Sequence, residues 1–208
     1  MADLPITLPP ALSAVLLAAL DQERKIDRAL EALGPVADRD VALVGGGPAE
    51  ATRLRTARAR LLDLPPFSGQ PWELGPNSAD VLVGTWSSFR GVDSQELAEA
   101  DRVLRPGGRL LVVHDYGRDD VSRLRGELPE HGNWSRRDGP FLRSGFRIKV
   151  IHCFWTFESI ELAKPFLVAA FGQAGEAVAA DMKRPRLSYN VAVYHRTAGE
   201  RRRPDEAD

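Results

Sequence analysis

The sequence predicts an α/β fold, a mostly parallel sheet with helices on both faces. Three observations carry that expectation. Short apolar runs, VALV at 41–44, VLV at 81–83 and LLVV at 110–113, alternate with helix-favouring segments. Glycine turns flank these runs, GGG at 45–47 and PGG at 106–108. Continuous apolar strands without polar alternation belong to sheets covered on both faces, which are mostly parallel. In such sheets ligands bind outside the carboxyl ends of the strands, near the topological switch point. Residues 45–50, 84–90 and 114–119 follow strands and are the segments where function is expected.

Taken in order, MADLPITLPP is Pro-rich without periodicity and predicts an extended arm over 1–10. Residues 11–33 predict one helix, with Leu12, Leu16, Leu20, Ile26, Leu30 and Leu33 along a face and Gly34-Pro35 as its stop. A strand at Val41–Val44 leads into the glycine turn. AEATRLRTARARLLDL has neither Gly nor Pro and predicts a helix that turns to strand at Arg60–Asp63. LPPFSGQPWELGPNSA is loop chemistry, and ADVLVGTW is a second buried strand. DSQELAEADRVL predicts a helix with Asp93 or Ser94 as N-cap. RPGG ends it before the strand RLLVVHDY, and DDVSRLRGEL adds a short helix capped by its paired aspartates. HGNWSRRDGPFLRSG is charged and irregular, and FRIKVIHCFWTF alternates as a strand. Residues 158–182 predict a long helix interrupted by Pro165, and SYNVAVYHR is the last strand. One domain over 11–197 is expected, followed by a disordered charged tail at 198–208.

Composition narrows the function classes. A hydrophobic content of 43% with 27% charged residues predicts a soluble globular chain. A net charge of −1, with acids interleaved among the arginines, excludes a generic nucleic-acid binder. Cys153 is the only cysteine, so no intrachain disulfide forms, and its apolar run IHCFW predicts a buried thiol. ALSAVLLAAL is too short to span a bilayer and has no signal-peptide flanks, so a cytoplasmic chain with no membrane partner is expected. His131, His152 and His195 have no metal-ligand spacing, and no metal site is predicted. No Gly-x-Ser-x-Gly elbow or Gly-Lys-Ser/Thr phosphate loop occurs.

ADVLVGTWSSFRGVDSQELAEADRVLRPGGRLLVVHDYG resembles the fourth-strand, helix, fifth-strand segment of class I S-adenosylmethionine-dependent methyltransferases of the type 11-like kind. An acid opens that fourth strand in the family, as Asp80 does here, and a phrase similar to RVLRPGGRLLVV precedes the fifth. The resemblance covers about residues 11–150; SGFRIKVIHCFW resembles strand six, and NVAVYHR matches an antiparallel strand seven. It implies a Rossmann-like sheet, mostly parallel with an antiparallel last strand, and S-adenosylmethionine as cofactor. VALVGGGPA then falls on the family's first motif, with Gly45, Gly46 and Gly47 expected to cradle the cofactor. Leu43 replaces the acid usual there, and Ala49 replaces the third glycine. Only 35 residues separate Gly45 from Asp80, so one strand–helix unit is missing or shortened. Asp63 either closes strand two, where the family's acid accepts from the ribose hydroxyls, or ends strand three, where an aspartate holds the adenine amino group.

The loops after strands four and five supply the remaining candidates. Thr85 and Trp86 are expected beside the cofactor, Trp86 as a stacking ring. His114, with its near-neutral unperturbed pKa, is the general-base candidate, with Asp115 to orient it and Tyr116 beside them. Two functions are compatible with these residues. One is methyl transfer to a small molecule. The other is a binding or assembly protein of the same fold, homodimeric in one form, that no longer uses the cofactor, which Leu43, Ala49 and the short middle favour. The apolar run KPFLVAAFGQAG would serve as a lid or a dimer surface. A dinucleotide fingerprint is disfavoured because Glu50 stands where a glycine must approach the pyrophosphate.

Overall fold

The apolar runs become neighbouring strands of one sheet. A computed structural model describes residues 4–199 of the chain. Its strands are β1 (Asp40–Val44), β2 (Arg60–Leu64), β3 (Ala79–Thr85), β4 (Leu104–Asp115), β5 (Arg147–Thr156) and β6 (Arg186–Thr197), in the order β2-β1-β3-β4-β6-β5. The first four are mutually parallel, while β6 runs antiparallel to both β4 and β5. The helices are α1 (Pro10–Ala19), α2 (Lys25–Leu33), α3 (Pro48–Thr56), α4 (Ser94–Val103), α5 (Asp120–Arg125), α6 (Pro140–Arg143) and α7 (Ile160–Asp181). Side chains alternate across the sheet, so Val41 and Leu43 pack with α1, α2, α3, α5 and α7 on one face. Ala42 and Val44 join α4, α6 and the loops carrying Trp72 and Trp134 on the other. Full burial of a residue such as Leu43 stabilises by roughly 2 kcal/mol. Among the described residues no helix is long and apolar enough to cross a membrane.

The missing strand–helix unit is located by the strand order. β2 pairs with β1 and forms one edge of the sheet, where a doubly wound sheet of order 3-2-1-4-5 would add a third strand outside it. Asp63 therefore belongs to the second strand, opposite Leu43. The chain crosses from Leu64 to Ala79 by a loop that carries its own anchor, the buried Trp72. The Trp72 backbone N–H donates to Glu99 Oε1 at 2.8 Å, and its indole N–H to the Pro65 carbonyl at 3.1 Å.

Two expectations are corrected. The helix foreseen over 11–33 is two helices, because Asp21 and Arg24 both take left-handed φ values, 46° and 55°. Tertiary contacts hold that break: the Asp21 N–H donates to Phe154 O at 3.0 Å, and Asp21 Oδ2 accepts from the Ile26 N–H at 2.7 Å. The interruption of the last helix lies at Gly172 (φ 55°, ψ −130°) rather than at Pro165. The N-terminal arm, where described, is docked: Leu4 is buried and Arg125 donates to the Pro5 carbonyl at 3.0 Å. The expected charged tail lies, from residue 200 onward, outside the described residues.

RPGG acts inside β4 rather than before it. Pairing jumps from Ala79–Leu104 to Val81–Arg109, so the segment bulges out of the ladder. Arg105 thereby reaches both Asp40 and Asp80, at 2.9 Å each, while Asp80 Oδ2 accepts from the Asp40 N–H at 2.9 Å. The acid that opens β3 thus ties the amino ends of β1, β3 and β4 together. A Cβ on Gly108 would stand 2.8 Å from Arg105 O and 3.1 Å from Asp80 O, both backbone atoms that cannot swing aside. We predict that Gly108→Ala lowers unfolding free energy by about 1–3 kcal/mol. Urea unfolding of the two proteins checks this; an unchanged midpoint would refute it.

Candidate functional site

The parallel strands deliver their carboxyl ends to one rim, and the turn after β1 lies at its centre. Gly45 has φ 62° and donates its N–H to Leu64 O at 2.8 Å. A Cβ there would lie 2.9 Å from Ser87 Oγ, 3.0 Å from Ser88 Oγ and 3.2 Å from Pro66 Cγ. A Cβ on Gly46 would stand 2.5 Å from the buried Leu43 side chain. Ser88 completes the seal by donating its hydroxyl to Val44 O at 2.8 Å. The chain's own packing is thus sufficient reason for glycine at 45 and 46. Gly47 is buried and precedes Pro48, the first residue of α3.

Beside this turn, on the face that holds α1, α2 and α3, opens a cleft of about 320 Å³. It lies between the α1–α2 connection, the first turns of α3 and the ends of β3 and β4, and its lining includes Leu20, Asp21, Arg53, Thr85, Trp86 and Val113. Trp86 is placed by its N–H, which donates to Val113 O at 3.0 Å, and by the Tyr189 ring 6.4 Å away. Arg53 is clamped by ion pairs to Asp27 and Glu50. Three buried atoms of lining residues, Asp21 Oδ1, Arg53 Nε and Thr85 Oγ1, have no hydrogen-bond partner among the described residues. Burial pushes the Asp21 carboxyl above the ordinary carboxylate range, against the opposing pull of the Ile26 and Lys25 N–H groups.

The residues singled out in the sequence do not form one cluster. Thr85 and Trp86 line the cleft, as does Ala49. Asp63 is exposed on β2 and lies outside the cleft's lining. His114 points to the opposite face of the sheet, where its ring meets Trp134 edge-on at 4.8 Å and Phe141 at 5.9 Å. It is fully buried, and desolvation lowers its pKa to about 3. His114 thus lies outside the cleft's lining, on the other side of the sheet. Asp115 lies on the cleft's face of the sheet but is buried, bonded to Arg125 and accepting from Tyr189 Oη at 2.6 Å. Burial raises its carboxyl even so. Tyr116 is half-buried on the His114 face, with the Arg118 guanidinium 5.8 Å from its ring. Asp21 and Arg53 went unnoticed in the sequence. The signal was present at Asp21-Gln22, a polar break in an apolar helix, and in the i,i+3 spacing of Glu50 and Arg53.

No family model matches the chain, and no curated protein matches it in sequence. Solved structures do match in fold. One is a SAM-dependent methyltransferase from Aquifex aeolicus, 14% identical, with a TM-score of 0.53 over 92% of this chain and 100% of that one. Another is a candidate type II methyltransferase from Anaeromyxobacter dehalogenans, 18% identical, with a TM-score of 0.54 over 84% of this chain and 96% of that one. At these identities the likeness concerns architecture: the chain has a six-stranded, Rossmann-like sheet of the methyltransferase kind.

The burial of His114 gives a prediction. The unfolded side chain takes up a proton below pH 6.5, whereas the folded one does so only near pH 3. The stability carried by keeping it neutral is complete above 6.5 and is lost as pH falls, at roughly 1 kcal/mol per unit. Thermal unfolding across pH 6.5 to 4 should therefore decline less steeply in His114→Phe than in the parent. Parallel declines would disprove the assignment.

Proposed function

We propose that the chain is a cytoplasmic S-adenosylmethionine-dependent methyltransferase of a small molecule, working in the cleft between the α1–α2 connection and the ends of β3 and β4. One observation carries this reading. The cleft opens beside the turn between β1 and α3, at the switch point where crossovers leave the sheet in opposite directions, which is where doubly wound sheets hold ligands. The residues present fit one end of the cofactor: Asp21, Arg53 and Thr85 offer buried polar atoms in need of partners. When bound, S-adenosylmethionine supplies an electrophilic sulfonium methyl.

The chain's own part is positioning and exclusion of water. Trp86 and Val113 give the cleft an apolar floor, which keeps a nucleophile and a methyl carbon dry and close. Thr85 holds a polar ligand atom at that floor. Asp115 acts indirectly: its bond to Tyr189 fixes the ring behind Trp86. His114 is a packing residue of the opposite face, and Tyr116 lies with it.

A second reading, a cofactor-free binding or assembly protein, is favoured by the turn itself. Leu43 fills the space under Gly46, and Ser87, Ser88 and Pro66 crowd Gly45. Exposed Val15 and Leu17 on α1, with Leu162 and Val168 on α7, would be its apolar contact surface in a homodimer. Calorimetric titration with S-adenosylmethionine and S-adenosylhomocysteine separates the two. The first reading expects heat of binding and, at a hundredfold excess over Kd, about 2.7 kcal/mol of added stability. Absence of heat at millimolar ligand, with a dimer in sedimentation, would establish the second reading in its place.

A further inference from the structure

The sheet has a second edge, β5, which pairs with β6 on one side only. The carboxyl end of its free side is taken by the α1–α2 connection. Phe154 O accepts from the Asp21 N–H at 3.0 Å, Leu20 bridges to Trp155, and Thr156 O accepts from Gln22 Nε2 at 2.9 Å. A residue in an antiparallel strand turns its N–H and C=O to the same side, and successive residues alternate. Phe154 and Thr156 therefore face outward, whereas the Phe157 N–H donates inward to Pro185 O at 2.7 Å. The register with β6 is unbroken from Arg147 to Thr156, so Ile148, Val150 and His152 face outward too. Among the described residues no strand or loop pairs with the backbone of these three on that side.

The same alternation sorts the side chains of the open stretch. Arg147 and Lys149 are exposed on the face that holds α2, while Ile148 and Val150 are half-buried on the other. His195 stands opposite Arg147 in β6, and Arg109 opposite Thr197 in β4. Arg109 directs its donors to neutral oxygens, Leu33 O at 2.9 Å and Thr197 Oγ1 at 2.6 Å. Burial, then Arg109, Arg147 and Lys149, holds the His195 pKa below its ordinary value, and no carboxylate acts in the opposite direction. Among the described residues Arg147 and Lys149 take part in no ion pair. An unpaired backbone edge thus lies under a row of cations that no acid of the chain neutralises.

A strand laid along this edge gains hydrogen bonds from Ile148, Val150 and His152, apolar contact on one face and paired charge on the other. It does so only where its own residues alternate between acidic and apolar. A second copy of β5 fails that requirement. Two-fold pairing puts both sets of Arg147 and Lys149 on one face, where like charges across strands repel. We propose that the open edge of β5, residues 147–152, docks an extended segment of another protein in which acidic and apolar residues alternate. The added strand stops short of Phe154, where the α1–α2 connection occupies the edge. The inference does not rest on the methyltransferase reading, since none of these residues lines the cleft.

Fluorescence anisotropy on the full chain tests it with labelled peptides of about seven residues, an ordinary strand length. One peptide alternates Glu and Val, a second places the same residues in two blocks, and a third alternates Lys and Val. We expect the alternating Glu peptide to bind best and the Lys peptide not to bind. Amide exchange at Ile148, Val150 and His152 should slow in the complex, which adsorption by charge alone would not cause. Arg147→Glu combined with Lys149→Glu should weaken the Glu peptide about tenfold or more and admit the Lys peptide. Val150→Pro removes one outward N–H and no charge, and should weaken the Glu peptide to a similar degree. Thermal unfolding without peptide verifies that the variants fold; where one does not, amide exchange in the parent protein decides. Equal binding of the block and alternating peptides, or unchanged exchange at the three amides, would overturn strand addition. So would failure of every peptide to bind, preference for a single-stranded oligonucleotide, or a dimer that pairs this edge and excludes the peptide.

Discussion

The turn after β1 is pressed against the loop after β3, and this contact decides where the molecule has room for a ligand. A Cβ on Gly45 would stand 2.9 Å from Ser87 Oγ and 3.0 Å from Ser88 Oγ, and Leu43 fills the space where a Cβ on Gly46 would go. With that side of the rim closed by protein, the remaining volume lies on the face of α1 and α2. The left-handed φ of Trp86, 47°, belongs to the same arrangement. It turns the chain out of β3 so that the indole lines the cleft while Ser87 and Ser88 stay behind the turn.

The period-two alternation of a strand explains why consecutive residues of HDY serve different surfaces. Leu111, Val113 and Asp115 project to the cleft's face, and Leu110, Val112 and His114 to the other. On one side, Asp115 joins Tyr189 and Arg125, and Arg125 also holds the N-terminal segment through Pro5. On the other, His114 is enclosed by Trp134 and Phe141, where a charged imidazolium would be costly. Neighbours in sequence are separated here by the whole thickness of the sheet.

At the β2 edge, the chain crosses to β3 by a loop held by one aromatic side chain. Trp72 is buried, hydrogen-bonded at both its backbone and its indole, and packed against Phe67 at 5.7 Å. The partner at its backbone, Glu99, is itself held by Arg102. That arrangement covers Leu64 and Leu82 on the α4 face. Asp63 is left at an exposed edge, away from the cleft.

The strands and most helices were legible in the sequence, because apolar period and glycine turns are local signals that packing reinforces, while the antiparallel last strand was implied only by the family resemblance. RPGG marked the end of α4, although its bulge inside β4 and the reach of Arg105 to Asp40 and Asp80 depend on strands far apart in the chain. Thr85 and Trp86 were expected beside a ligand because strand ends in such sheets point to ligands, and both line the cleft. Asp21 and Arg53 were not, since each is brought there by another element: Asp21 by the break that Phe154 and Trp155 impose on the first helix, Arg53 by its pairing with Asp27 of α2. The sequence by itself determined the sheet and its order of strands and helices, because burial of a one-dimensional apolar pattern suffices for that. Only the tertiary structure decided which side of the glycine turn is open and which polar atoms face it unpaired, because both depend on contacts between residues tens of positions apart.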